Sequence, residues 1–209
     1  MIAGTPVDEG WNEAGRSAGV VIYRREHEAS GLNETLAIGA VDAPPWVVKN
    51  ALDDYEAKDG AMPYITEMRV LRRDEKGALI YHRTSPPLIT DRDYTIRMFD
   101  ESFVRSDGAV VYICRWRTAN DEGPPVRSGV VRIEKTEGYW RLEPIDDGAR
   151  TRATYFVFIT PGGAIPHQIT DWGTTTVMGG IFDALRARAA QPKYAKDKPA
   201  APGHLQAGR

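Results

Sequence analysis

Two short stretches decide how this 209-residue chain folds. Arg92-Asp93-Tyr94 opens a strand that continues through Thr95-Ile96-Arg97-Met98, and Pro161-Gly162-Gly163-Ala164-Ile165-Pro166 leads into a long helical pattern. In the strand, alternation puts Arg92, Tyr94, Ile96 and Met98 on one face and Asp93, Thr95 and Arg97 on the other, so the first set reads as interior and the second as solvated. Working outward, strand patterns are expected at Ala18–Arg25, Glu34–Ala43, Glu67–Arg73, Ala78–Ser85, Arg92–Glu101, Ala109–Thr118, Val126–Lys135, Tyr139–Ile145 and Arg152–Thr160. Turn-forming residues separate them, among them Gly31 and Asn33, Glu75-Lys76-Gly77, Pro86-Pro87, Ser106-Asp107-Gly108 and Asp146-Asp147-Gly148. Connections this short make neighbouring strands antiparallel.

Two helices are available to cover such a sheet. The first starts at Pro44-Pro45 and carries Trp46, Val47, Val48, Ala51, Leu52 and Tyr55 at helical spacing up to Gly60. The second runs from about Gly163 to Ala190. Ile165, Ile169, Trp172, Thr176, Gly180 and Asp183 share one side of it, with Met178, Ile181, Leu185 and Ala189 roughly opposite. Gly173, Gly179 and Gly180 each cost about 1 kcal/mol against Ala inside a helix. A kink, a hollow beneath the helix or close packing on the sheet would each account for them.

Composition narrows the function. A net charge of −2 and a pI near 6.1, with acids and bases interleaved, exclude a nucleic-acid binder built on a basic face. No apolar run is long enough to span a bilayer, and Met1–Gly10 has neither the basic start nor the apolar middle of a secretory signal. The expectation is a soluble, cytoplasmic monomer, or a periplasmic one if a leader has been trimmed. Cys114 is the single cysteine, which rules out an internal disulfide and a multi-thiolate zinc site, and it reads as a small buried hydrophobe. One domain is expected over 11–190. The Pro-, Ala- and Lys-rich stretch 191–209 is expected to be a disordered tail.

The order and spacing of several short motifs resemble the START domain, the lipid-transfer family related to the steroidogenic acute regulatory protein, within the Bet v 1-like helix-grip superfamily. They are Ile80-Tyr81 before Pro86-Pro87 and Arg92-Asp93-Tyr94, Val131-Arg132 after a proline-bearing loop, Tyr139-Trp140 with Pro144 beyond, and Pro161-Gly162-Gly163 with Ile165-Pro166. The resemblance implies an α+β helix-grip fold, in which a curved antiparallel sheet of about nine strands wraps a long C-terminal helix around a hydrophobic cavity. It also implies a lipid or other hydrophobic small molecule as partner, transient contact with a membrane surface, and no cofactor.

The expected ligand lining is Tyr81, Arg83, Tyr94, Ile96, Met98, Tyr112, Cys114, Trp116, Phe156, Phe158, Ile169, Trp172, Thr176 and Gly180. Tyr81 and Arg83 are placed inward, with His82 opposite them. Sterol-binding relatives often hold an acid and a base on these two strands, and in the resemblance Arg83 takes the acid's place and Met98 the base's. Arg83 would then meet an anionic or strongly accepting group, or, on the plainer reading, reach solvent or Glu67 at the strand end. The loop Ala119–Pro125, with Asn120, Gly123, Pro124 and Pro125, resembles the family's gating loop beside the lid helix. Polyketide cyclases and aromatases share the fold, so an enzyme is the alternative. However, Tyr81, Arg83, Tyr94 and Thr176 form no acid and base pair, and His27, His82, His167 and His204 read as surface residues, so no catalytic residue is assigned. No metal site is expected from Asp53-Asp54 or Asp146-Asp147.

Overall fold

The structure is a computed structural model that describes residues 10–57, 63–87, 89–160, 162 and 167–202, with side chains described from 175 onward in the last helix. Its strands are β1 (Asn12–Ser17), β2 (Val20–Glu26), β3 (Asn33–Val41), β4 (Ile65–Asp74), β5 (Gly77–Thr84), β6 (Arg92–Asp100), β7 (Phe103–Val104), β8 (Val110–Thr118), β9 (Val131–Arg132), β10 (Thr136–Ile145) and β11 (Arg150–Ile159). The helices are α1 (Pro45–Asp53) and α2 (His167–Ala189). The sheet order is β1-β2-β3-β11-β10-β8-β6-β5-β4, antiparallel throughout; two-residue β7 and β9 lie off this path, β9 pairing in parallel with β6. Strand β1 was not visible as a pattern, because Asn12-Glu13-Ala14-Gly15-Arg16-Ser17 lacks an apolar face. It is held by a two-residue turn in which Ala18 and Gly19 both take positive φ, the geometry that matches strand twist. The expected strand Val126–Lys135 shrinks to Val131–Arg132.

Pairing fixes which residues share a face. Ala78, Ile80 and His82 of β5 face inward with Ile96 and Tyr94 of β6, with Tyr112, Cys114 and Trp116 of β8, with Trp140 and Leu142 of β10, and with Ala153 and Tyr155 of β11. Against this concave face lie Val47, Val48 and Ala51 of α1 and Met178, Ile181, Phe182, Leu185 and Ala189 of α2. The Phe182 ring sits 5.3 Å from Trp140, and Gly39 makes room for it, since a Cβ there would lie 2.9 Å from the ring.

The other face is also buried. Trp11, Tyr23, Leu36 and Ile38 form a second apolar cluster with Phe156 on the convex side. Further along that side Asp93, Thr95 and Arg97 are at most 1% exposed instead of solvated. The loop Ala119–Pro125 covers them: Asn120 accepts from the Thr95 amide (2.9 Å) and donates to the Ile133 carbonyl (2.8 Å), and Glu122 pairs with Arg97. Asp93 accepts from Arg132 (2.6 Å) and from the Tyr81 hydroxyl (3.1 Å).

Part of the expected tail is structured. Tyr194, 5% exposed, packs in the core; its hydroxyl donates to Asp54 (2.8 Å), and Asn50 donates to the carbonyls of Tyr194 and Asp197. An aromatic ring with a satisfied hydroxyl is enough to pin this short segment.

The helix glycines are explained by close approach. A Cβ on Gly179 would stand 2.3 Å from the Ser17 hydroxyl, and one on Gly180 would stand 2.9 Å from Pro63. Gly179→Leu should therefore lower stability by about 1–3 kcal/mol through overpacking, despite its better helix propensity. Denaturant unfolding checks this, and a more stable variant would mean that β1 yields to the helix.

Candidate functional site

The concave face under α2 is the candidate site. On it lie Tyr94, Ile96, Met98, Tyr112, Cys114 and Trp116, as alternation required, with Trp140 and Tyr155 beside them. The aromatic rings are in contact: Trp116 stacks on Tyr155 at 5.5 Å, and Trp140 lies 4.6 Å from the same ring. Burial pushes the Cys114 thiol up to about 12, so it behaves as an apolar side chain, in spite of the nearby Lys49 cation. Lys49 itself keeps its charge although buried, because it pairs with Asp53 and Asp100.

Other expected lining residues lie elsewhere. Arg83 faces outward, half exposed, donating from Nε (3.0 Å) and Nη2 (2.6 Å) to Asp91. Tyr81 is outward too, between the guanidinium groups of Arg69 and Arg127. Phe156 and Phe158 belong to the convex side, Phe156 packing on Trp11 and Tyr139 and Phe158 on His27. Thr176 is exposed, and Gly180 faces Pro63 rather than the sheet. The side chains of Ile169 and Trp172 lie outside the described residues, as does His167. Asn120, Gly123 and Pro124 lie against the convex face, and Pro125 is exposed; a Cβ on Gly123 would lie 2.0 Å from the Thr95 hydroxyl, and the Pro124 carbonyl accepts from Arg132.

One residue read as surface belongs inside. His82 is 7% exposed on the concave face, across from Met68 on β4 and Tyr94 on β6. Its Nδ1 is 3.0 Å from the Tyr94 hydroxyl, while Nε2 is buried without a partner. Burial drives the imidazole down to about 4 and the Tyr94 phenol upward; Tyr155 is raised by burial and then by its neighbour Tyr94. All three are neutral at pH 7. Pairing supplies what the parity of β5 alone did not: His82 stands on the side of Ala78 and Ile80, whose partners on β6 are Met98 and Ile96. Beside Met68 a pocket of about 630 Å³ opens between the end of α1 and the edge strand β4, lined by Tyr55, Ala57, Ile65, Met68, Val70 and Arg188 among others. Among the described residues no group of three or more His, Cys, Asp or Glu side chains is arranged to hold a metal ion.

His82 makes stability depend on pH. Its folded pKa lies below the unfolded value of 6.5, so between about 4 and 6.5 the unfolded chain takes up a proton that the native state refuses. Stability should fall as pH drops through that window, by about 1.4 kcal/mol per unit at most and roughly 3 kcal/mol in all. In His82→Leu this contribution should vanish, leaving a shallower acid limb; matching slopes in urea unfolding between pH 4 and 6.5 would show that His82 titrates freely.

No family model matches the chain. An uncharacterized protein of Pseudomonas aeruginosa is 27% identical over 189 residues, 90% of this chain and 91% of that protein. The mouse phosphatidylcholine transfer protein is 23% identical over 164 residues, 78% of this chain and 75% of its own. A STAR-related lipid transfer protein fragment from Xanthomonas axonopodis superposes with a TM-score of 0.74 at 29% identity, covering 88% of this chain and all of that one. The human StAR-related lipid transfer protein 5 gives the same TM-score at 17% identity, covering 88% of each chain, and so reports on fold alone. With its antiparallel sheet closed by a C-terminal helix, and its likeness along nearly the whole chain to these proteins, this chain has the helix-grip fold and is similar to the START-related lipid transfer proteins.

Proposed function

We propose that this domain binds one hydrophobic molecule, most favourably a lipid, between the concave sheet face and α2, and carries or senses it without changing it. The observation that carries this reading is the end-to-end match to a STAR-related lipid transfer protein. The concave face supports it, being lined with aromatic and aliphatic side chains. Carriage is a sufficient task in itself. A lipid with about 20 buried carbons, at about 0.8 kcal/mol each, would lose roughly 16 kcal/mol on entering water bare. A protein interior removes most of that barrier.

The titratable groups favour binding over proton chemistry. An imidazole that takes a proton only near pH 4 is a poor base at neutral pH, and its phenol partner is a poor acid because burial pushes it upward. No helix among the described residues is long and apolar enough to cross a membrane, which fits a domain that meets the bilayer transiently. The domain is proposed to comprise 11–190 together with the stretch around Tyr194 as its closing latch, and to act as a monomer.

The pocket between α1 and β4 is proposed as the mouth, in place of the loop Ala119–Pro125, which is tied to the convex face. Native mass spectrometry of the purified protein, with lipid extraction, should show about one bound molecule per chain. A broad lipid panel with no binder would refute the carrier reading. Met68→Trp should slow uptake from vesicles at least tenfold by filling the mouth. Asn120→Ala should cost about 1–3 kcal/mol of stability, through the lost bonds to Thr95 and Ile133, and leave the transfer rate unchanged. The reverse result would return the gate to the loop.

A further inference from the structure

We propose that Arg188, in the last turn of α2, binds the anionic head group of the carried molecule, a carboxylate or a phosphate, in the pocket between α1 and β4, so that the domain takes anionic amphiphiles in preference to neutral lipids of the same chain. This rests on the carrier reading and names its substrate class.

A buried guanidinium is ordinarily matched by a carboxylate, because a desolvated charge without a counterion is costly. Arg188 is 8% exposed and forms part of the pocket wall, yet its hydrogen bonds go to neutral groups: Nη2 donates to the Asp54 carbonyl (2.5 Å) and to the Tyr194 hydroxyl (3.4 Å). Its Nε is buried with no partner among the described residues. The C-terminal end of α2 favours a cation here but gives Nε no acceptor. The Asp54 carboxylate is already engaged, since its Oδ2 accepts from the Tyr194 hydroxyl (2.8 Å) and from Lys193 (3.3 Å).

The opposite wall does not repel an anion. Glu67 is the carboxylate there, and it accepts from both Arg69 (2.7 Å) and Arg127 (3.2 Å), so one negative charge is shared by two guanidinium groups. A further cation, Arg73, stands 5.3 Å over the Tyr55 ring, which lines the pocket. Glu56, the remaining acid of the lining, is exposed to solvent. The other walls are apolar, with Tyr55, Ile65, Met68 and Val70 among them, and the volume of about 630 Å³ suits a small-molecule ligand. A free anion would meet the cation and waste these walls, and a hydrocarbon would do the reverse. An amphiphile with an anionic head satisfies both, and a guanidinium matches the paired oxygens of a carboxylate or a phosphate.

The test uses three probes of one chain length, laurate, dodecyl phosphate and dodecanol, with inorganic phosphate as the free anion. Binding is read by equilibrium dialysis as competition against radiolabelled laurate. In the parent, laurate and dodecyl phosphate should bind about tenfold more tightly than dodecanol, and inorganic phosphate should fail to displace laurate. Arg188→Met should remove the tenfold preference and leave dodecanol unchanged, and Arg188→Lys should keep part of it. Asn50→Ala, which loosens the Tyr194 latch without altering charge, should keep it in full. Because Arg188→Met can disturb folding, the Arg188 Nε–H resonance of the parent gives a second measure, which should shift on adding laurate and stay put on adding dodecanol. Equal affinity for laurate and dodecanol in the parent would overturn the assignment while leaving the carrier reading intact. So would inorganic phosphate competing as well as dodecyl phosphate, the mark of a free-anion site. A preference that survives Arg188→Met, or is lost equally in Asn50→Ala, also overturns it. If laurate, dodecyl phosphate and dodecanol all fail to bind, the carrier reading and this inference fall together.

Discussion

The buried charges on the convex side of β6 are the constraint on which the rest depends. Asp93, with no exposed surface, is held by Arg132 and the Tyr81 hydroxyl, and Arg97, 1% exposed, is held by Asp74 (2.8 Å) and Glu122. Such pairs add little net stability compared with apolar packing, but breaking one leaves an uncompensated buried charge at about 3–5 kcal/mol. Their consequence is register. A slip of one residue along β6 would turn Asp93 and Arg97 into the apolar interior and bring Tyr94, Ile96 and Met98 outside. The charges therefore fix which side of the central strands faces the helix, and the loop from Ala119 is bound to them as their cover.

That cover explains what the sequence concealed. On β6 and β8 the alternation is clean, so Tyr94, Ile96, Met98, Tyr112, Cys114 and Trp116 were legible as the concave set. On β5 the run Ala78-Leu79-Ile80-Tyr81 is apolar on both parities, because both faces are buried there, and the parity of Arg83 had no internal check. The same holds for Tyr155-Phe156-Val157-Phe158, where Phe156 serves the convex cluster and Phe158 stacks on His27. Periodicity reports a half-buried strand well and a doubly buried one poorly. Pairing with β6 settles the question, since Tyr81 stands opposite Thr95 and His82 opposite Tyr94.

Elements with few apolar residues were the other blind spot. Strand β1 and the latch around Tyr194 are each held by a handful of contacts, a positive-φ turn in one and a single buried ring in the other. Neither leaves a periodic trace. The overall architecture was legible because it depends on the spacing of nine long strands and two helices, which tolerates errors at individual positions.

The two faces of the sheet solve opposite electrostatic problems. On the convex side Asp93 and Arg97 are buried in ion pairs, while the Thr95 hydroxyl and Arg152 Nε have no partner among the described residues. On the concave side the polar groups at His82, Tyr94 and Tyr155 are neutral, and His82 Nε2 has no partner among the described residues. A fully satisfied interior would gain stability and lose any hydrogen-bond preference among ligands, since apolar contact alone distinguishes lipids weakly. The charged clamp makes this arrangement possible, for it holds β5 and β6 in the register that keeps His82 turned inward whether or not a ligand is present.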